Sequence, residues 1–361
     1  MSSKSSHHII RTPAGSLLLG RMPKGCQLCI RGAKLVLFVT GLCTRGCYYC
    51  PLSEKRRGKD VVYANERPVK SDRDIIEEAR LINALGTGLT GGDPSLRFER
   101  TLRLLRLLKR KFGKRHHVHM YVGGELSLEQ LRRLKQAGLD EVRFHTWSTE
   151  PVEAALKVGL RAGVEIPAIP GNFSKTVALL RELDRIGCAF VNLNEFEFSD
   201  TNLAALKRRG FKIKSDVSMA VEGSEETAHN LMLWAARNTR LNIHYCPSAL
   251  KDRVQLRNRL RRRARNVAKP YDSITDEGLL VKGVIYDLPP AKLSATRKRL
   301  ISRYNVPAKL IGIDKQKRRI ELAPEIAEKL AELEPGLKFA LVEEYPTYDR
   351  LETLVVPFSK L

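Results

Sequence analysis

Residues 34–50 read "KLVLFVTGLCTRGCYYC". The first seven are apolar, β-branched or aromatic apart from one leading lysine, and Gly41 closes the run. That composition, bounded by a glycine, is the pattern of a buried strand. Three cysteines, Cys43, Cys47 and Cys50, therefore stand on the loop that leaves this strand, with gaps of three and then two residues. Further along, the same grammar repeats. Strand patterns fall at residues 86–91, 117–122, 141–147, 164–169 and 189–197. Helical patterns separate them: "SDRDIIEEARLINAL", a basic run near 98–112, "SLEQLRRLKQAG", "TEPVEAALKVGLRAG" and "SKTVALLRELDRIG". Several open on Ser or Thr with an acid close behind and close on Gly, as helix caps do. Strands alternating with helices imply parallel pairing through right-handed crossovers. The expected fold is α/β, a (β/α)6-type partial TIM barrel with its functional face at the C-terminal ends of the strands. "FKIKSDV" (211–217) and "NIHYCP" (242–247) are two further strand candidates.

Beyond residue 277 the alternation changes to strands and helices without a regular βα repeat, which reads as a small α+β domain. The expected organisation is an N-terminal extension over 1–33 carrying a Cys-x-x-Cys pair and a barrel over 34–250. An Arg-rich helical connector over 251–277 and an accessory domain over 278–361 follow.

The chain has 361 residues, 43% of them hydrophobic, and no apolar stretch near the roughly 20 residues that span a bilayer. No apolar segment with a small-residue cleavage site stands near the N-terminus, so no secretory leader is expected. Five of the seven cysteines crowd into residues 26–50. A secreted disulfide scaffold would spread them in even number, so the crowding favours metal binding and a cytoplasmic location. The formal net charge is +24. "RVQLRNRLRRRARNVAK" (253–269) has no acid at all and residues 97–117 are nearly as basic, which points to a polyanionic partner such as RNA.

Structural zinc is normally closed by four N or S ligands. Three thiols on one loop instead suit a [4Fe–4S] cube held through three irons, with the fourth iron open to a ligand. In its position after the first strand, "CTRGCYYC" resembles the signature loop of the radical SAM superfamily. "TGGDP", at the end of the second strand, supports the likeness. More broadly, "GCQLCIRGAKLVLFVTGLCTRGCYYCP" with "VVYANE" looks like a group of mainly archaeal proteins described as relatives of pyruvate formate-lyase-activating enzymes. The resemblance implies a [4Fe–4S] cluster on Cys43, Cys47 and Cys50, with Tyr49 in the aromatic slot before the last cysteine. It also implies S-adenosylmethionine bound near Gly91, Gly92, Asp93 and Pro94 and cleaved to a 5′-deoxyadenosyl radical. Asp93 departs from the family's usual Glu. A small electron donor, ferredoxin or flavodoxin, is implied as well.

Two other groups carry polar chemistry. Cys26 and Cys29 in "CQLC" do not close a metal site alone; His244 and Cys246, on one face of a strand, complete a Cys3His set for zinc or an auxiliary iron–sulfur cluster. His145, Asn192 and Asn194 are polar side chains on barrel strands and are expected to contact the cofactor or substrate. Taken together, these features give a radical SAM enzyme modifying a tRNA or rRNA nucleoside as the leading expectation. The alternative is an activating or maturation enzyme that abstracts hydrogen from a protein.

Overall fold

The structure is a computed structural model and describes residues 8–358; residues 1–7 of the N-terminal extension lie outside them. The chain divides into two compact units, one over residues 1–80 and 84–256, the other over 81–83 and 257–361.

In the first unit, helix α1 (Lys24–Ile30) precedes strand β1 (Lys34–Thr40). There follow α2 (Asp72–Leu81), β2 (Gly86–Gly91), α3 (Phe98–Phe112), β3 (His117–Val122) and α4 (Leu128–Gln136). Next come β4 (Glu141–Phe144), α5 (Glu150–Lys157), β5 (Arg161–Ala168), α6 (Phe173–Arg185) and β6 (Phe190–Glu195). The unit closes with α7 (Ser224–Asn238) and β7 (Ile243–Cys246). Strands β1 to β7 pair in parallel in sequence order, so the partial barrel is present and holds seven parallel strands. An antiparallel hairpin, Ile9–Arg11 with Leu17–Leu19, extends the sheet beyond β7. The face of the sheet turned to the helices is packed with residues such as Leu37, Leu89, Val142, Val164 and Leu193, all buried. Amphipathic helices cover the outside; α3 buries Leu102, Leu105 and Leu108 on one stripe and leaves its basic residues outward.

Two expectations are corrected. "FKIKSDV" does not enter the barrel: Ile213–Ser215 turns back on Ser218–Val221 as a separate two-stranded ribbon. Its short strand is exposed throughout, and the segment's inward contact is made by Phe211, which packs on Phe196 outside the barrel sheet. The helical pattern over 149–163 is also too long. Helix α5 stops at Lys157 and Gly159 takes φ +72°, a left-handed stop that frees Arg161 to begin β5.

The second unit begins with α8 (Arg257–Val267). Its antiparallel sheet contains β8 (Leu280–Tyr286), β9 (Ile311–Asp314), β10 (Arg319–Leu322), β11 (Lys338–Glu344) and β12 (Glu352–Pro357). The order is β9-β10-β8-β11-β12, with Ser273–Ile274 paired to β8. Helices Pro290–Tyr304 and Pro324–Leu333 pack one face through Ile285, Leu300, Ile320 and Leu330. The Arg-rich run is thus divided: Lys251–Leu256 is a π-helical turn within the first unit, and α8 belongs to the second.

Candidate active site

A cavity of about 470 Å³ opens at the C-terminal ends of the barrel strands. The loop after β1 brings Cys43, Cys47 and Cys50 to its lining, with no disulfide among them. Backbone and side chains from elsewhere fix this loop. The Cys50 N–H donates to the Cys47 carbonyl at 3.1 Å. Asn202 Nδ2 donates to the Tyr49 carbonyl and Thr201 Oγ1 to the Cys50 carbonyl, each at 3.1 Å. Tyr49 itself packs edge-to-face on Phe196, 5.8 Å between ring centres, in an apolar cluster with Phe198 and Trp147.

The end of β2 lies against the root of that loop. The Gly92 N–H donates to the Thr40 carbonyl at 2.8 Å and the Asp93 N–H to the Leu42 carbonyl at 2.7 Å. A Cβ on Gly91 would sit 2.2 Å from the Thr40 oxygen, and one on Gly92 2.3 Å from the Leu42 oxygen. Gly91 also has φ +151°. Glycine is required here because two backbones touch. Asp93 is fully buried and its carboxylate faces inward to the protein: Oδ1 accepts from Ser95 N at 2.9 Å and Ser95 Oγ at 2.6 Å, and Oδ2 accepts from Gly124 N. Its shorter side chain ties β2 to the loop after β3. Pro94 is buried next to it and does not line the cavity.

His145 lines the cavity beside Tyr49. Its Nδ1 is 3.0 Å from the Glu165 carbonyl and so must donate, which leaves Nε2 to accept the Tyr49 hydroxyl at 2.8 Å. Burial lowers its pKa below the usual histidine value, in keeping with a neutral ring. Asn194 also lines the cavity, and its amide donates to Glu165 Oε1 at 3.1 Å. Asn192 lies deeper, outside the lining, with its Nδ2 2.8 Å from Glu165 Oε2 and 3.2 Å from Cys26 Sγ.

Glu165 is therefore the hub that sequence reading missed. Arg143 Nη1 reaches its carboxylate at 3.0 Å and binds Glu141 through Nε and Nη2 at 2.8 and 2.6 Å. Burial opposes ionisation of Glu165, but Arg143 and the two amides outweigh it and hold the carboxyl below its usual range. The one signal in "VEIPAI" was an acid in the middle of an apolar strand. Glu195, Glu197 and Lys251 also line the cavity, the last two as an ion pair.

Cys26 and Cys29 project from α1, and His244 and Cys246 from β7; none of the four lines this cavity. Among the described residues, only His117, His119 and Glu141 bring three ligand atoms within 4.8 Å of one another, so the four do not form a tight mononuclear cage. No helix among the described residues is long and apolar enough to cross a membrane.

Residues 37–146 match the model of the radical SAM superfamily, and residues 278–358 match that of a domain of unknown function. A protein of Methanocaldococcus jannaschii is 41% identical over 358 residues, covering 93% of each chain; its name assigns it provisionally as a glycyl-radical enzyme activating enzyme. Among solved structures, Streptococcus suis SuiB bound to S-adenosylmethionine aligns with TM-score 0.43 and 11% identity over 60% of this chain and 51% of its own. The hydrogenase maturase HydG of Carboxydothermus hydrogenoformans aligns with TM-score 0.36 and 14% identity over 48% of this chain and 50% of its own. The chain thus spans about half the length of either enzyme.

Proposed function

The chain belongs to the radical SAM superfamily, whose cofactors are a [4Fe–4S] cluster and S-adenosylmethionine, and from that premise we propose that it is an activating or maturation enzyme that abstracts hydrogen from a protein. The observation that carries the proposal is the near full-length relationship to the archaeal relative, whose provisional name describes that activity. The donor set fits the cofactors: three thiols without disulfide partners stand on an anchored loop beside a glycine pair that admits no side chain. When bound, the cofactors supply the one-electron chemistry that removes a hydrogen atom from substrate.

The chain's own residues position and shield. Cys43, Cys47 and Cys50 would hold the cluster, and the Gly91–Gly92 backbone would line the S-adenosylmethionine site next to it. Asp93 and Pro94 support that backbone from behind. Asn194 presents a polar group to the cavity and His145 orients the Tyr49 hydroxyl, while Arg143 and Asn192 fix Glu165 beneath them. Phe196, Phe198 and Trp147 back Tyr49 and exclude water from the loop's inner side. Cys43 is exposed at the cavity mouth, where a polypeptide loop has access. A ferredoxin or flavodoxin is the proposed electron source.

The +24 charge favours RNA as a second reading. Against it, the full-length relative is named for a protein-directed activity, and several arginines of the basic helices are committed to contacts within the chain. Arg100 binds Asp60 at 2.6 Å, Arg103 binds Asp72 at 2.8 Å, and Arg263 is buried with its Nε on the Pro346 carbonyl. A lysate of the source organism grown in deuterated medium, separated into protein and RNA, decides between the two. Deuterium should enter 5′-deoxyadenosine from the protein fraction; entry from the RNA fraction alone would overturn the proposal.

A further inference from the structure

Outside the cavity, the thiols of "CQLC" meet a third thiol within the first unit. On α1, Cys26 and Cys29 are three residues apart and so share a face of the helix. Cys29 Sγ donates to Gln255 Oε1 at 2.9 Å, and the same amide donates through Nε2 to Cys246 Sγ at 3.6 Å. One side-chain amide thus joins a thiol from α1 to a thiol from β7. Cys26 receives Asn192 Nδ2 at 3.2 Å and Arg143 Nη1 at 3.4 Å. Asn192 is the register partner of His244, and Asn194 of Cys246, so His244 and Cys246 extend from β7 on the face that Asn192 turns to Cys26.

His244 is 1% exposed; its Nε2 contacts Ser16 Oγ at 3.1 Å, and its Nδ1 has no hydrogen-bond partner. A buried nitrogen without a partner calls for an explanation. With Nε2 donating to the Ser16 hydroxyl, Nδ1 is the nitrogen that carries the lone pair. Cys246 is buried two residues further along the same strand face. Such thiols are inert as they stand, and a bound metal centre is what draws them out as thiolates.

We propose that Cys26, Cys29, Cys246 and His244 hold a second iron–sulfur cluster, separate from the one on the loop after β1. The spacing selects a cluster over zinc. Zinc–sulfur bonds of about 2.3 Å place tetrahedral thiolates roughly 4 Å apart, and no three of these four ligand atoms come within 4.8 Å of one another. Cys43, Cys47 and Cys50 fail the same criterion. Thiolates on different irons of one cluster stand farther apart, as both groups require. The trio that does satisfy it, His117, His119 and Glu141, has the Arg143 guanidinium on its carboxylate, which opposes a bare dication there.

The test is iron, sulfide and zinc content of the full chain, purified and reconstituted without oxygen, with electron paramagnetic resonance after reduction. The wild type should hold about eight irons and the C43A/C47A/C50A variant about four, as two four-iron clusters require. That variant leaves the second site whole, so its result stands even where C26A/C29A/C246A fails to fold. Where the latter folds, it should retain the signal of the first cluster alone. Loss of all iron from C43A/C47A/C50A would overturn the proposal, and so would one zinc in place of the residual iron. Residual iron in that variant with no S-adenosylmethionine cleavage by the wild type would uphold the second cluster and count against the enzyme's class instead.

Discussion

Asp93 fastens the end of β2 to its surroundings, its buried carboxylate accepting from Ser95 and from the Gly124 N–H. Asp93→Ala should cost about 1–3 kcal/mol by orphaning buried donors, read from urea unfolding. Asp93→Glu, the residue common in the family, should also destabilise, because the site is fully buried and has no room for another methylene. A stabilised Asp93→Glu would contradict the packing described. Gly92→Ala places a Cβ 2.3 Å from the Leu42 oxygen and must move the root of the cluster loop. A displacement near 1 Å costs on the order of 100-fold in rate, so 5′-deoxyadenosine formation should fall by about that factor while the protein stays folded. Cys43, Cys47 and Cys50 were readable because their spacing is itself the signal. Glu165 was not, since one acid in an apolar strand has the same appearance whether it is a surface residue or a buried hub.

Among elements, the strands were legible wherever apolar runs ended at glycine, and β1, β2 and β3 have the boundaries the sequence implies. Failures came where length had to be judged without tertiary contacts. The start of β5 was hidden within a helical pattern until Gly159 was seen in a left-handed conformation. The hairpin Ile9–Arg11 with Leu17–Leu19 was invisible because three-residue strands have too little periodicity to detect. Polar groups inside elements bind them together, so their removal tests the packing. Glu165→Leu removes one of the two carboxylates on the buried Arg143 and an acceptor shared by Asn192 and Asn194, and should cost about 1–3 kcal/mol. In the second unit, Lys282 on β8 is 2% exposed between Asp272 at 3.0 Å and Glu344 at 2.8 Å. Lys282→Met takes the cation from the buried Asp272 carboxylate, while Glu344 keeps Lys317, Arg319 and Arg350, and should cost about 3 kcal/mol or more. Chemical denaturation followed by circular dichroism measures both, and a change under 1 kcal/mol in either would contradict the account.

For the molecule as a whole, stability has two pH windows. His116 and His244 have pKa values lowered to about 4, chiefly by burial. Unfolded histidines titrate near 6.5, so below that pH the unfolded chain binds more protons and stability drops, until about pH 4, where the folded state takes them up too. Glu344 is held at about 2 against burial by Lys282 and Arg350; its contribution is present above roughly pH 4.5 and lost as pH falls towards 2. Both tryptophans, Trp147 and Trp234, lie in the first unit. Tryptophan fluorescence should therefore record the histidine window, and a flat response between pH 6.5 and 4 would contradict these assignments. The cluster loop itself is tested most directly by S-adenosylmethionine cleavage. The anaerobically reconstituted full chain with a strong reductant should form 5′-deoxyadenosine, and C43A/C47A/C50A should form none. Equal formation by both, or none by the wild type with its cluster in place, would contradict the central claim.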